Sequence, residues 1–166
     1  MYSLNSPIPG RVARIVSELR PVLSAFESVR ERHSLLVKRL GRGNLNRTVA
    51  RAREVLAGTS PVGARVTGID VFRDPPRGPG PVVYLAVESS GLRDIHAALL
   101  REFGAIERLE GDEYVPHVTL ARGGSPLAAT EELLARAVDP VEWTITELEV
   151  YDARRKSVQR RISLSG

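Results

Sequence analysis

The residues with the clearest chemical potential lie in PHVTLAR, residues 116–122, where a single residue separates His117 from Thr119. Alternate residues of a β-strand share a face, so this imidazole and this hydroxyl would stand side by side. His33, at the start of the strand-like run 33–41, is a second candidate. Imidazoles titrate near neutral pH, so two of them across a cleft can act as base and acid. Such a pair suits in-line displacement at phosphorus, with guanidinium groups neutralising the developing charge.

The elements that would position these residues occur twice. Hydrophobic periodicity predicts strand, helix, strand, helix and hairpin in each half, with matching points about 80 residues apart. Each hairpin breaks its alternation once, which predicts a bulge at the same place in both copies. The matching positions are Tyr2 with Tyr84, His33 with His117, and Val66 with Ile145. We therefore expect one domain over 1–166, with lobes 2–82 and 83–166 related by a pseudo-two-fold axis and the two histidines on opposite walls of a cleft.

PHVTLAR resembles the second signature of the two-histidine (2H) phosphoesterases, the group that includes the 2′-5′ RNA ligase-like proteins. The resemblance spans the chain through its element order and is sharpest around 114–122. It implies an α+β fold, bilobal and duplicated, with two antiparallel sheets flanking a central cleft. It also implies hydrolysis of RNA 2′,3′-cyclic phosphate ends to 2′-phosphomonoesters, with His117 and His33 as catalytic residues and Thr119 binding the phosphate.

The first motif departs from the family pattern. In RHSLLVKRLGR the residue two positions after His33 is Leu35, and the hydroxyl of Ser34 comes one position early. A bulge could swing Ser34 beside His33, or His33 could act without a hydroxyl neighbour while Lys38 or Arg39 binds phosphate. Alternatively, the motif has decayed and the protein only binds RNA ends. We favour the second hypothesis because His33 keeps its place in the repeat. At most one of Lys38 and Arg39 can enter the cleft, because adjacent strand residues face opposite ways.

Other candidates have weaker signals. Arg122 is a phosphate ligand or a structural cap, since a regular strand would turn it away from the histidine. Tyr114 could stack on a base, as aromatic residues do with single-stranded RNA. His96 is predicted at the surface of a helix. The loop 73–81, RDPPRGPGP, is a candidate substrate loop or a mobile hairpin tip, and the basic run 152–161 could guide an RNA backbone.

Composition narrows the functional classes. The chain has 166 residues and no cysteine, which excludes disulfides and thiolate chemistry. Its net charge of +4 favours an anionic partner weakly. No histidine or acidic cluster has metal-ligand spacing, so we expect no metal and no cofactor. No apolar run approaches the roughly 20 residues of a membrane helix, and the N-terminus lacks signal-peptide features. We expect a cytoplasmic monomer without membrane partners.

The sequence thus predicts a metal-independent RNA 2′,3′-cyclic phosphodiesterase acting on RNA 3′ ends or on small nucleotides that carry this phosphate. Two enzyme alternatives are 2′-5′ RNA ligation and hydrolysis of small cyclic nucleotides. A third alternative, from another class, is a non-catalytic RNA-end-binding protein with a degenerate first motif.

Overall fold

The computed structural model describes residues 1–166 as four α-helices and nine β-strands. The helices are α1 (Gly10–Leu23), α2 (Leu45–Leu56), α3 (Ser90–Phe103) and α4 (Leu127–Ala135). The strands are β1 (Tyr2–Ser6), β2 (Ser28–Val29), β3 (Leu35–Gly41), β4 (Val62–Phe72), β5 (Val82–Glu88), β6 (His117–Arg122), β7 (Val141–Ile145), β8 (Glu147–Asp152) and β9 (Ser157–Ser163). A short 3₁₀ helix covers Gly111–Glu113.

Local sequence explains where the helices begin and end. The Asn44 side chain accepts a hydrogen bond from the Arg47 amide at the start of α2. The Ser89 hydroxyl accepts one from the Leu92 amide at the start of α3. Both bonds satisfy amide groups that have no partner within the helix. Gly104 follows the last residue of α3, and its φ of +72° is a conformation that favours glycine.

The strands form two antiparallel sheets. One has the order β3-β1-β8-β9, and the other has the order β2-β6-β5-β4-β7. This confirms the predicted α+β class with two antiparallel sheets. Each sheet contains strands from both halves of the sequence, because β8 pairs with β1 and β4 pairs with β5. The repeat of the sequence is therefore interleaved in space.

The two breaks in hairpin alternation have different structural origins. In β4 the pairing with β5 shifts register between Val66 and Gly68, as expected of a bulge. In the second half the break falls at Thr146, where the chain leaves the five-stranded sheet as β7 and enters the four-stranded sheet as β8. The same sequence signal thus marks a bulge in one copy and a change of sheet in the other.

The core lies between the sheets and the helices that cover them. Thirty buried apolar residues form one cluster, with α1 packed near β6 and α3 near β3 and β4. None of the helices is long and apolar enough to span a bilayer. Val118 and Leu120 of β6 point into this core, so His117 and Thr119 face the other way.

Candidate active site

A cavity of about 430 Å³ lies between the two sheets. Strands β3 and β6 form its walls, and some of their Cα atoms lie within 8 Å of one another. The loop before β5 and the segment 108–115 close its sides, and Arg30 lies at its edge. The residues of these two strands that line it are Leu36, Val37 and Arg39 of β3, with His117, Thr119 and Arg122 of β6.

His117 opens β6 and has a fixed orientation. Its Nδ1 lies 2.6 Å from the carbonyl oxygen of Val115. A carbonyl can only accept, so Nδ1 carries the proton and Nε2 holds the lone pair. The ring packs edge-on against Phe72 and Tyr84, with centroids 5.2 Å and 5.1 Å away. Nε2 has no partner within the chain and is the atom available to a ligand.

The surroundings keep this imidazole neutral. Burial lowers the pKa of His117 below its ordinary value, and the charges of Arg39 and Arg30 lower that pKa further. The hydrogen bond to Val115 opposes the shift but is smaller than the effect of burial. A neutral imidazole with a free Nε2 is the form that accepts a proton, so this side chain is suited to act as a general base near pH 7.

A bulge brings Arg122 to the same cavity. The pairing between β5 and β6 skips Leu120, and both Leu120 and Ala121 are buried. Two consecutive inward residues shift the alternation by one, so Arg122 returns to the face of Thr119. A regular strand would have turned the guanidinium away from that hydroxyl. The Thr119 hydroxyl has no hydrogen-bond partner within the chain.

Strand β3 repeats this pattern. Its pairing with β1 skips Val37, and Val37 and Lys38 are both buried, so Arg39 lines the cavity. The skip at Val37 corresponds to the skip at Leu120, and the burial patterns of residues 34–39 and 117–122 match position by position. The pairing of β3 with β1 also skips Leu40, which has no counterpart in β6. Ser34 corresponds to His117, Leu36 to Thr119 and Arg39 to Arg122. The first lobe therefore lacks the histidine and the hydroxyl of the second, and the Ser34 side chain does not line the cavity.

The structure corrects the predicted placement of His33. Strand β3 begins at Leu35, so His33 precedes the strand and its counterpart is Pro116 rather than His117. His33 does not line the cavity, and its Nε2 is buried without a partner. Burial lowers its pKa, and the charges of Arg20 and Arg30 lower it further. A general acid must be protonated, which these surroundings disfavour.

The structure also corrects the prediction that Lys38 could bind phosphate, because this residue lies in the core. Only 1% of the residue is exposed, and its Nζ donates to Glu110 and to the carbonyl oxygen of Arg39, both at 2.7 Å. Glu110 also accepts from the amides of Arg39 at 3.1 Å and Ile106 at 2.9 Å. Its carboxylate lies 4.0 Å from the Arg39 guanidinium. Lys38 therefore neutralises Glu110, and Glu110 holds Arg39 at the cavity wall.

His96 is buried, against the prediction that it lies at the surface. Its Nδ1 donates to the Val37 carbonyl at 2.7 Å, and its Nε2 accepts from the Gly111 amide at 3.0 Å, which defines a neutral ring. The Tyr114 ring stacks on it at 3.9 Å, and the Tyr114 hydroxyl donates to the Leu36 carbonyl at 2.9 Å. Tyr114 lines the cavity, but the ring face against His96 is closed to a base.

Several site residues have no signal in the predicted motifs. Arg30, Arg108 and Glu110 are of this kind and line the cavity from loops. Arg77 also lines the cavity, but it belongs to the loop 73–81, which the sequence offers as a candidate substrate loop. The basic run 152–161 does not line the cavity. The sequence does contain a signal for the residue of the first half that corresponds to His117. Arg122 follows His117 by five positions. Counting back the same five positions from Arg39 gives Ser34.

Two antiparallel sheets around one cleft, with a His-x-Thr strand on one wall, are the fold and one half of the site expected of a 2H phosphoesterase. Solved structures share this fold, including TT0787 of Thermus thermophilus at 20% identity and a TM-score of 0.65, with 98% of this chain and 97% of that chain covered. E. coli LigT complexed with 3′-AMP has 19% identity and a TM-score of 0.63, with 99% and 98% covered. Kluyveromyces marxianus Usb1 has 14% identity and a TM-score of 0.57, with 98% and 97% covered.

The model of the 2′-5′ RNA ligase superfamily matches residues 9–157, and the chain belongs to that superfamily. No curated protein matches the chain at a significant level. Membership makes the protein one of a group of enzymes that act on phosphodiester bonds.

Proposed function

We propose that this protein hydrolyses 2′,3′-cyclic phosphate ends of RNA to 2′-phosphomonoesters, with His117 as its only proton-transfer group. The observation that carries the proposal is the orientation of His117, whose Nδ1–H donates to the Val115 carbonyl while Nε2 is free. Thr119, Arg39 and Arg122 line the same cavity. LigT, which shares this fold, forms a complex with 3′-AMP, and this supports a nucleotide as the ligand here.

The reaction follows from these groups. Nε2 of His117 takes a proton from water as the water oxygen attacks phosphorus. The bond from phosphorus to the 3′ oxygen breaks, and that oxygen takes its proton from solvent. Arg39 and Arg122 neutralise charge on the phosphoryl oxygens, and the Thr119 hydroxyl donates to one of them. Release of strain in the five-membered ring favours departure of the 3′ oxygen without a protein acid.

The test is hydrolysis of a dinucleotide with a 2′,3′-cyclic phosphate end, in EDTA, with the 2′-phosphomonoester identified as product. His117→Ala should lower kcat by about 10²- to 10⁴-fold, the range for a lost general base. His33→Ala is the matched control and should keep most of the activity, because this imidazole is outside the cavity. Activity that EDTA abolishes and a divalent ion restores, or an active His117→Ala protein, would contradict the proposal.

A second candidate is a non-catalytic RNA-end-binding protein. It is favoured by Ser34 and Leu36, which replace the imidazole and the hydroxyl of the first lobe while Arg39 and Arg122 are retained. Under this alternative the wild type binds a dinucleotide cyclic phosphate and returns it unchanged. Binding should then depend on both arginines, and His117→Ala should change only the affinity for the dinucleotide.

A further inference from the structure

The cavity contains more guanidinium groups than one phosphate requires. Five arginines line it, and only Arg39 has a carboxylate within 4.0 Å. The other four are Arg30, Arg77, Arg108 and Arg122. Asp74 and Glu113 line the same cavity without pairing to any of them. The arginines of a folded surface usually pair or point to bulk water, so four unpaired ones around one cavity indicate a polyanionic ligand.

These arginines form two groups by burial. Arg39 and Arg122 are partly buried and come from the strands, whereas Arg30, Arg77 and Arg108 are exposed and come from loops. We call these three the outer arginines. Arg77 is joined to the inner group, because Arg122 donates to its carbonyl oxygen at 3.3 Å. Burial lowers the pKa of Arg39, and the charge of Arg77 lowers it further. Both groups of arginines line the same cavity.

Arg108 is held at the cavity in an unfavourable backbone conformation. Its φ is +64°, a region that side-chain-bearing residues rarely adopt. Backbone hydrogen bonds from Leu109 and Glu110 to the Ile106 carbonyl, together with the bond from the Ile106 amide to Glu110, close the turn that contains it. Strain of this kind is concentrated at functional sites. The turn therefore presents a guanidinium where a glycine would fit the backbone better.

The charge balance identifies the ligand class. Five arginines and three carboxylates line the cavity, and buried Lys38 neutralises Glu110, so the lining has a net charge of about +3. A nucleoside 2′,3′-cyclic phosphate carries a single negative charge. Each additional nucleotide of a strand adds one phosphodiester and one further negative charge.

We propose that the outer arginines bind the phosphodiester that precedes the reacting phosphate, so that the substrate is an RNA strand of at least two nucleotides. The inference rests on the proposed function and makes it more specific. The inner arginines and Thr119 hold the cyclic phosphate, and the outer arginines hold the adjacent backbone phosphate. A free nucleoside cyclic phosphate would leave the outer arginines unpaired.

The experiment compares kcat/KM for adenosine 2′,3′-cyclic phosphate and for a dinucleotide with the same cyclic end. The wild type should prefer the dinucleotide by about 10- to 100-fold, the range for a hydrogen bond between charged groups. Arg77→Gln and Arg108→Gln should each reduce that ratio several-fold. Arg101→Gln is the control, since Arg101 is exposed on α3 outside the cavity, and it should keep the wild-type ratio. Raising the salt concentration should also narrow the ratio.

The outcomes separate this inference from the proposed function. Equal kcat/KM for both substrates would overturn the outer subsite and leave hydrolysis established. A 5′-phosphorylated cyclic mononucleotide that matches the dinucleotide would overturn the assignment to a strand. If neither substrate is hydrolysed by folded protein, the proposed function fails. The subsite is then tested by binding of a dinucleotide and a mononucleotide 3′-phosphate. Tighter dinucleotide binding that Arg108→Gln removes supports the subsite, and equal binding overturns it.

Discussion

Restoring the missing imidazole of the first lobe should change the pH dependence of hydrolysis. The register of β3 makes Ser34 the counterpart of His117, so Ser34→His would place a second ring on the opposite wall of the cleft. The wild type has one titrating group in its mechanism, and the neutral form of His117 is the active one. Burial lowers the pKa of His117 below 6.5, so wild-type kcat should rise with pH below 6.5 and stay level above it.

The size of the effect follows from the same groups. A general acid contributes at least about 10²-fold, and an imidazole with an ordinary pKa near 6.5 is about one quarter protonated at pH 7. With an ordinary pKa the new ring would therefore raise kcat about 25-fold at pH 7. Burial and the charge of Arg30 lower the pKa of both His33 and His117, so the new ring should titrate low as well. The gain at pH 7 should then be smaller than about 25-fold, and it should grow toward pH 6. The profile should become a bell, because loss of the acid proton now reduces activity at high pH.

The assay is kcat against pH from 5 to 9 on the dinucleotide cyclic phosphate, with matched ionic strength. Ser34→Asn controls for side-chain size, because an amide fills similar space without titrating. Adding Leu36→Thr to Ser34→His should increase the gain, because a hydroxyl then accompanies each imidazole. His117→Ala in the Ser34→His background should remove activity at every pH.

Two results would rule out a single-histidine mechanism or this register of β3. A bell-shaped profile in the wild type would mean that a second protein group already donates a proton, and its disappearance in His33→Ala would return the acid role to His33. A folded Ser34→His protein with wild-type rate and a single-limbed profile would mean that position 34 does not reach the substrate. The second outcome would require a different register for the first lobe.

Two further predictions test the phosphate site and its support. Thr119→Ala should raise the activation free energy, measured from kcat/KM, by about 1.5–3 kcal/mol, because a hydrogen bond to a charged oxygen is lost. Ser34→Ala should change kcat/KM little. Equal effects of the two substitutions would contradict the asymmetry of the lobes. Glu110→Gln should lower the free energy of unfolding by about 3–5 kcal/mol and Tm by about 6–20 °C, because Lys38 loses its buried partner. The control is Glu102→Gln, which removes an exposed ion pair and should lower the free energy of unfolding by less than about 1 kcal/mol. Thermal melts in which both variants lose similar stability would argue against a buried ion pair.

The order and type of the elements could be predicted because they depend on local patterns. Helical periodicity over residues 90–103 and strand alternation at 62–72 each fit one structure only. The interleaving of the two halves could not be predicted in this way, because it depends on which edges pair at long range. At Thr146 a single break in alternation moves the chain between sheets, and the same break at Val66 produces a bulge.

The site could be predicted in its second lobe and was misplaced in its first. His117 and Thr119 lie on one face as the spacing indicates, but the bulges that redirect Arg39 and Arg122 are tertiary features. The surface position predicted for His96 follows from its polarity alone. The residue nevertheless continues the apolar stripe of Leu92, Ile95 and Leu99 at helical spacing. A polar residue can occupy such a stripe when both of its ring nitrogens are satisfied, as they are here.

The interleaved sheets also determine what would happen if the chain were cut. A protease that cleaved the Pro/Gly loop 73–81 would separate the two sequence halves covalently, yet β4 would remain bonded to β5 and β7, and β1 to β8. We expect the nicked protein to stay assembled as a two-fragment complex, with both walls of the cleft in place. Separately expressed fragments 1–77 and 78–166 should each be unfolded alone, since each lacks the strands that complete its sheets, and should fold only on mixing.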